Sequence, residues 1–225
     1  MNSFLKAFLI RFRFIHFVLL ARIDGALGQL GWLQVDFDTL PLSGKDPVPW
    51  FSYGAIDYIN QTISPDCSVL ELGGGGSTRF WVGRGNSVTC IESDEAWSQK
   101  ISHSLEHAAN LKQVIFEKYI SPETLGVLRG HKYDVIVNDF NGGTGRGSVV
   151  TWMVEHLNEN GVIIWDNSDR MGYQAGLAEL QAMGFGKLSF FGLGPINPYA
   201  FETSIFSRGI KSASWDLPIR NTVNY

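Results

Sequence analysis

Residues 68–82 read SVLELGGGGSTRFWV. An apolar run carrying one acid, Glu71, ends in four consecutive glycines, Gly73, Gly74, Gly75 and Gly76. A short apolar run closed by glycine predicts a buried strand. The residues that follow the glycines open a helix. Strand, bare-backbone turn and helix make the first half of a βαβ unit. Glycine turns tightly and lets another group approach without a Cβ in the way. In an open α/β sheet, ligands bind beyond the carboxyl ends of the strands. The stretch therefore predicts a fold and a site together.

Working outward, the same rhythm repeats. A helix fits FSYGAIDYINQTI before the stretch. Further strands fit SVTCIES (87–93), QVIFEKYI (113–120), YDVIVNDF (133–140) and GVIIWD (161–166). Between them, Asp94 caps a helix to about Ala109, and Ser121-Pro122-Glu123 opens one that Gly130 closes. Two more span 148–158 and 173–183, the second stopped by Gly184. Strict alternation implies a parallel sheet covered on both faces, and the continuous apolar strands suit burial on two sides. The rhythm breaks at KLSFFGLGPINPYAFETSIFSR (187–208), which reads as a hairpin that places one antiparallel strand in the sheet. The expected fold is α/β: three layers, doubly wound, with a mostly parallel sheet of seven strands. The loop LPLSGKDPVPW separates an N-terminal arm (1–45) from the main domain (46–225).

Composition narrows the function classes. The chain has 225 residues, 44% apolar and 18% charged, which suits one large globular domain. A net charge of −4 provides no basic field for nucleic acid. Cys67 and Cys90 lie far apart and outside any CxxC, which fits a reduced cytoplasmic chain. The arm is apolar and aromatic, with Lys6, Arg11, Arg13 and Arg22 ahead of its first acid. The arginines interrupt the run, so no uncharged stretch spans a bilayer, and a secretory signal fits poorly. Two readings remain for residues 1–23. One is a packing or dimer helix, the favoured reading. The other is a helix lying on a membrane surface, which would make the protein peripheral at the inner membrane.

Glu92 ends the strand after the glycine turn, where an acid can accept hydrogen bonds from two ribose hydroxyls. Together the glycines and two acids describe a nucleoside pocket. The dinucleotide fingerprint G-x-G-x-x-G is incomplete, since Thr78 or Arg79 stands at the third glycine. ELGGGGST with Glu92 resembles the first motif and second-strand acid of the class I S-adenosylmethionine (SAM)-dependent methyltransferases. YDVIVNDF, GVIIWDN and the terminal hairpin resemble that family's later strands, so the likeness covers roughly 50–208. Ser77 replaces the last glycine of the family's usual loop. The resemblance implies a Rossmann-like methyltransferase fold, with SAM held by Glu71, Gly73, Gly74, Gly75, Ser77 and Glu92. It also implies adenine near Glu117–Tyr119 and Asn138–Asp139.

The second half of the site follows from the same likeness. Asp139 and the pair Asp166-Asn167 close two neighbouring strands. Catechol- and caffeoyl-type O-methyltransferases hold a divalent metal with an Asp and an Asp-Asn pair at such places. The resemblance therefore implies Asp139, Asp166 and Asn167 as candidate Mg²⁺ ligands, which would lower an acceptor's pKa. In the other reading Asp139 faces SAM and Asn167 only shapes a turn. Asp169 and Arg170 lie beside them: Arg170 to grip a carboxylate or phosphate or to form a salt bridge, Asp169 to act there or to cap the next helix. Trp50, Phe51 and Tyr53 offer an acceptor wall or core packing. His103 and His107 share a helix face without a third ligand, and read as surface residues. The expected reaction is O-methylation of a small molecule, free or linked to lipid or sugar. The alternatives are an NAD(P)-linked oxidoreductase and a non-catalytic module of the same fold.

Overall fold

The computed structural model describes residues 13–22, 27, 30, 48–140 and 145–210. In the arm, α1 (Arg13–Leu20) is helical and exposes Phe17, Val18 and Leu20. Apart from residues 21, 22, 27 and 30, the rest of the arm and the tail beyond 210 lie outside the described residues, as does the boundary between arm and domain. No helix among the described residues is long and apolar enough to cross a membrane.

Seven strands form one sheet: β1 (Ser68–Leu72), β2 (Ser87–Glu92), β3 (Leu111–Phe116), β4 (Tyr133–Asn138), β5 (Leu157–Asp166), β6 (Gly186–Gly192) and β7 (Phe201–Ser207). Their order is β3-β2-β1-β4-β5-β7-β6. The central pairings are parallel, while β7 runs antiparallel to both β5 and β6. The reversed strand is thus the second of the hairpin, as the sequence implied. Successive residues of β1 point to opposite faces, and both faces are buried. Val69 packs in one cluster with α2 (Tyr53–Thr62) and α3 (Gly76–Gly83) through Ala55, Ile59 and Trp81. Leu70 and Leu72 pack in the other with Met153 and Leu180, on α6 (Val150–His156) and α7 (Gln174–Ala182). Two further helices are α4 (Glu95–Ser104) and α5 (Gly145–Ser148).

Local signals explain most boundaries. Asp94 caps α4 by accepting the Trp97 amide at 2.8 Å. Gly184, with φ of 86°, ends the chain's turn after α7 in the left-handed region. Four expectations shift, the first being α4, which stops at Ser104 and not near Ala109. β3 begins earlier than expected and ends at Phe116. The helix after Ser121-Pro122 is only a 3-10 turn over Thr124–Leu128. The helix at 148–158 ends at His156, because the chain already pairs as β5 from Leu157, opposite Tyr133.

The switch point lies between β1 and β4, where the strand order departs in two directions. There the chain leaves β1 still bonded to its neighbours: the Gly73 amide donates to the Ile91 carbonyl and the Asp139 amide to the Leu72 carbonyl, both at 2.8 Å.

Candidate active site

A cavity of about 850 Å³ opens at this switch point. The glycine turn and Ser77 form one side; Glu92, Ser93, Asp94 and Trp97 the second; Lys118 and Tyr119 the third. Trp50, Asp139, Arg146, Asn167 and Arg170 complete it.

The glycines serve two needs. Gly73 has φ of 91°, and a Cβ there would meet the Asp139 backbone at 2.6 Å. A Cβ on Gly74 would stand 2.4 Å from the Cys90 sulfur. Bare backbone is thus required at both by the turn's own packing onto β4 and β2. Gly75 is freer, with Trp97 at 3.3 Å from its Cβ position. The Trp97 ring also donates from Nε1 to the Gly74 carbonyl at 2.8 Å, which fixes the turn from outside.

Glu92 holds the turn from inside. Its Oε2 accepts the Gly74 amide at 2.8 Å, and Oε1 accepts the amides of Ser93 at 2.7 Å and Asp94 at 2.8 Å. A carboxylate oxygen has two acceptor sites. Oε1 is therefore filled by backbone, and Oε2 retains capacity for a hydroxyl.

Glu71 lies elsewhere than a direct ligand would. It is fully buried beneath the turn and does not line the cavity. Thr78 Oγ1 donates to its Oε2 and itself accepts the Gly75 amide at 2.9 Å. Oε1 has no partner among the described residues. Burial, only partly offset by the Ser77 and Thr78 hydroxyls, pushes its carboxyl up to about 8, with Asp139 and Glu92 adding to the rise.

The other half of the cavity is organised by Arg146, a residue the sequence reading passed over. Its guanidinium donates to the Phe140 carbonyl at 2.7 Å, the Asp166 carbonyl at 2.6 Å and Asp139 Oδ1 at 2.8 Å. It lies over the Tyr173 ring, 4.9 Å from the centroid. The legible signal was an arginine between two glycines, GRG, just past a strand end. Gly176 lets α7 approach α5: a Cβ there would come within 2.9 Å of the Gly147 Cα.

Asp166 turns away from the cavity. Its register partner on β7 is Thr203, whose hydroxyl donates to Asp166 Oδ1 at 2.6 Å. Burial and the nearby Asp139 charge hold the Asp166 carboxyl well above the usual range. Thr203 Oγ1 also accepts the Ser52 amide at 3.0 Å. Asn167 lines the cavity with a φ of 54°, a left-handed conformation that asparagine tolerates. The expected Mg²⁺ set of Asp139, Asp166 and Asn167 is not assembled in this arrangement. One Asp139 oxygen holds a guanidinium, Asp166 is committed to β7, and a divalent ion would face a fixed positive charge. These residues do not fit a metal.

Of the remaining candidates, Arg170 lines the cavity, and Asp169 accepts the Glu202 amide at 3.3 Å. Trp50 reaches the cavity, Phe51 is core, and the Tyr53 hydroxyl is buried, its pKa pushed up to about 12. His103 and His107 are exposed beside Glu106.

Comparison with solved structures bears on this geometry. An O-methyltransferase from Bacillus cereus in complex with S-adenosylhomocysteine (SAH) aligns at a TM-score of 0.57 and 15% identity, covering 87% of this chain and 95% of its own. TomG from Streptomyces achromogenes, an O-methyltransferase of tomaymycin synthesis in complex with SAM, aligns at 0.53 and 15%, covering 84% and 92%. The chain has the Rossmann-like methyltransferase fold. The fold does not choose the acceptor: a ribosomal protein L11 methylase from Lactobacillus delbrueckii aligns at 0.51 and 16%, covering 68% and 77%. No protein-family model matches the chain. No curated protein matches it either.

Proposed function

We propose that this protein is a SAM-dependent methyltransferase that O-methylates a small molecule, free or carried on a lipid or sugar. The observation that carries the reading is one continuous cavity. It runs from the glycine turn and the free capacity of Glu92 Oε2 to Asp139 and Arg170. The first half suits a ribose and the second an acceptor. When bound, SAM supplies an electrophilic methyl group on a sulfonium.

This chain's residues do the rest. Glu92 and the glycine turn hold the nucleoside end. Trp50 walls the cavity against water. Asp139 keeps its Oδ2 without a hydrogen bond among the described residues, so it can take the proton from an acceptor hydroxyl as the O–CH₃ bond forms and the C–S bond breaks. Each cavity acid is already engaged: Glu92 by backbone amides, Asp94 by its helix cap, Asp139 by Arg146. Lys118 and Arg170 place two cations on the cavity wall, Arg170 near enough to Asp139 to counter, with Arg146, the rise that burial gives its carboxyl, and this supports an acceptor bearing a carboxylate or phosphate. The exposed apolar side chains of α1 favour the lipid-linked version.

The test is calorimetric titration of the full chain with SAH, beside NAD⁺. Low-micromolar SAH binding is expected. A folded protein that ignores SAH would end this reading, and binding of NAD⁺ instead would favour an oxidoreductase.

A further inference from the structure

Arg146 is 3% exposed, yet it lines the cavity. Its three hydrogen bonds reach two strand ends at once: Asp139 and Phe140 beyond β4, and the Asp166 carbonyl at the end of β5. A divalent ion shared by Asp139 and the Asp166-Asn167 pair would bridge the same two strand ends. Magnesium requires oxygens at about 2.0–2.1 Å in near-octahedral array. Here the approach to Asp139 Oδ1 is taken by a nitrogen at 2.8 Å, and the Asp166 carboxyl is held by Thr203 at 2.6 Å. Arginine is charged at every working pH and its planar fork is directional. The backbone and the guanidinium face of this residue are held as well. The Asn138 side chain donates to the Arg146 carbonyl at 3.2 Å, and the Tyr173 ring covers the guanidinium.

We propose that Arg146 is the resident cation of the acceptor half: it occupies the position between the ends of β4 and β5 that a divalent ion would need, excludes that ion, and positions Asp139 as an ion pair facing the cavity. This deepens the methyltransferase reading and rests on it for the acceptor's placement, while exclusion of the ion stands on the geometry alone. Arg146 is a positioning residue. It acts through Asp139, and it replaces Lewis-acid activation with a fixed charge and a hydrogen bond.

The experiment is a titration of Mn²⁺ into the full chain, read as free Mn²⁺ by electron paramagnetic resonance, with and without SAH. The wild type is expected to leave the free signal undiminished at millimolar Mn²⁺. Arg146→Met removes the charge, so this variant is expected to take up Mn²⁺ at millimolar concentration through Asp139 and Asn167, and Asp139→Asn added to it abolishes the uptake. Arg146→Lys keeps a cation and keeps the ion out. Stoichiometric uptake by the wild type overturns the proposal. So does an Arg146→Met variant that binds SAH like the wild type but takes up no Mn²⁺. Should Arg146→Met fail to fold, the wild type and Arg146→Lys decide, since uptake by either overturns it. Loss of SAH binding in the wild type would instead count against the methyltransferase reading, and the titration without SAH would still test the ion.

Discussion

Replacing Glu71 with glutamine is expected to flatten the pH dependence of stability. Glu71 is fully buried, and one carboxyl oxygen has no partner. Its pKa is pushed from the ordinary 4.5 to about 8. Between those values the folded protein keeps a proton that the unfolded chain releases. Stability from this group is therefore fully present below the unfolded pKa, and it is lost as pH rises through the folded one. The slope is about 1.4 kcal/mol per pH unit, or about 5 kcal/mol over the whole interval. That is a large share of a typical domain's stability of about 5–15 kcal/mol. Asp166 has a raised pKa too and gives a slope of the same sign, so the wild type and Glu71→Gln must be compared. The assay is urea unfolding at intervals from about pH 5 to about pH 8. The buried amide will itself cost some stability, so slopes decide and midpoints do not. The wild-type curve should fall more steeply than the variant's, and the two should converge or cross near the upper end. Parallel curves would refute the reasoning, because Glu71 would then be ionised in the folded protein.

Glu92→Gln sets an amide where the carboxylate accepts three backbone amides. Stability should drop by about 1.5–3 kcal/mol and SAH affinity at least roughly tenfold, read by urea unfolding and calorimetry. Thr203→Val strips the buried Asp166 carboxyl of its donor and the Ser52 amide of its acceptor. Urea unfolding should register a loss of about 2–5 kcal/mol. Gly176→Ala would place a methyl 2.8 Å from Trp165 and 2.9 Å from the Gly147 backbone. A loss of about 1–3 kcal/mol is expected, and an unchanged urea midpoint would show that α5 and α7 separate freely.

Much of this was legible because it is local. The strand at 68–72, the Asp94 cap and the Gly184 stop each announce themselves within a few residues. The place of Glu92 at the cavity was legible because it depends only on where its own strand ends. Asp166 was not, since its direction is set by Thr203 on a strand that comes later and runs the other way. Arg146 was missed for a similar reason. Nothing beside it in sequence announces the carbonyls of Phe140 and Asp166 that converge on it. The glycine-turn side of the cavity is built from contiguous stretches, whereas the Arg146 side is assembled from distant ones.

The bond from the Ser52 amide to Thr203 joins residues 151 apart, and the Ser52 hydroxyl donates to the Phe190 carbonyl beside it. Helix α2 thus packs against a hairpin that is translated long after it. On a ribosome it must wait on the order of ten seconds for its partner. Throughout that wait Ala55 and Ile59, fully buried in the finished sheet, lack part of their cover. The nascent chain is then a client for holdase chaperones, and a stall before the hairpin would be costlier to the cell than one after it.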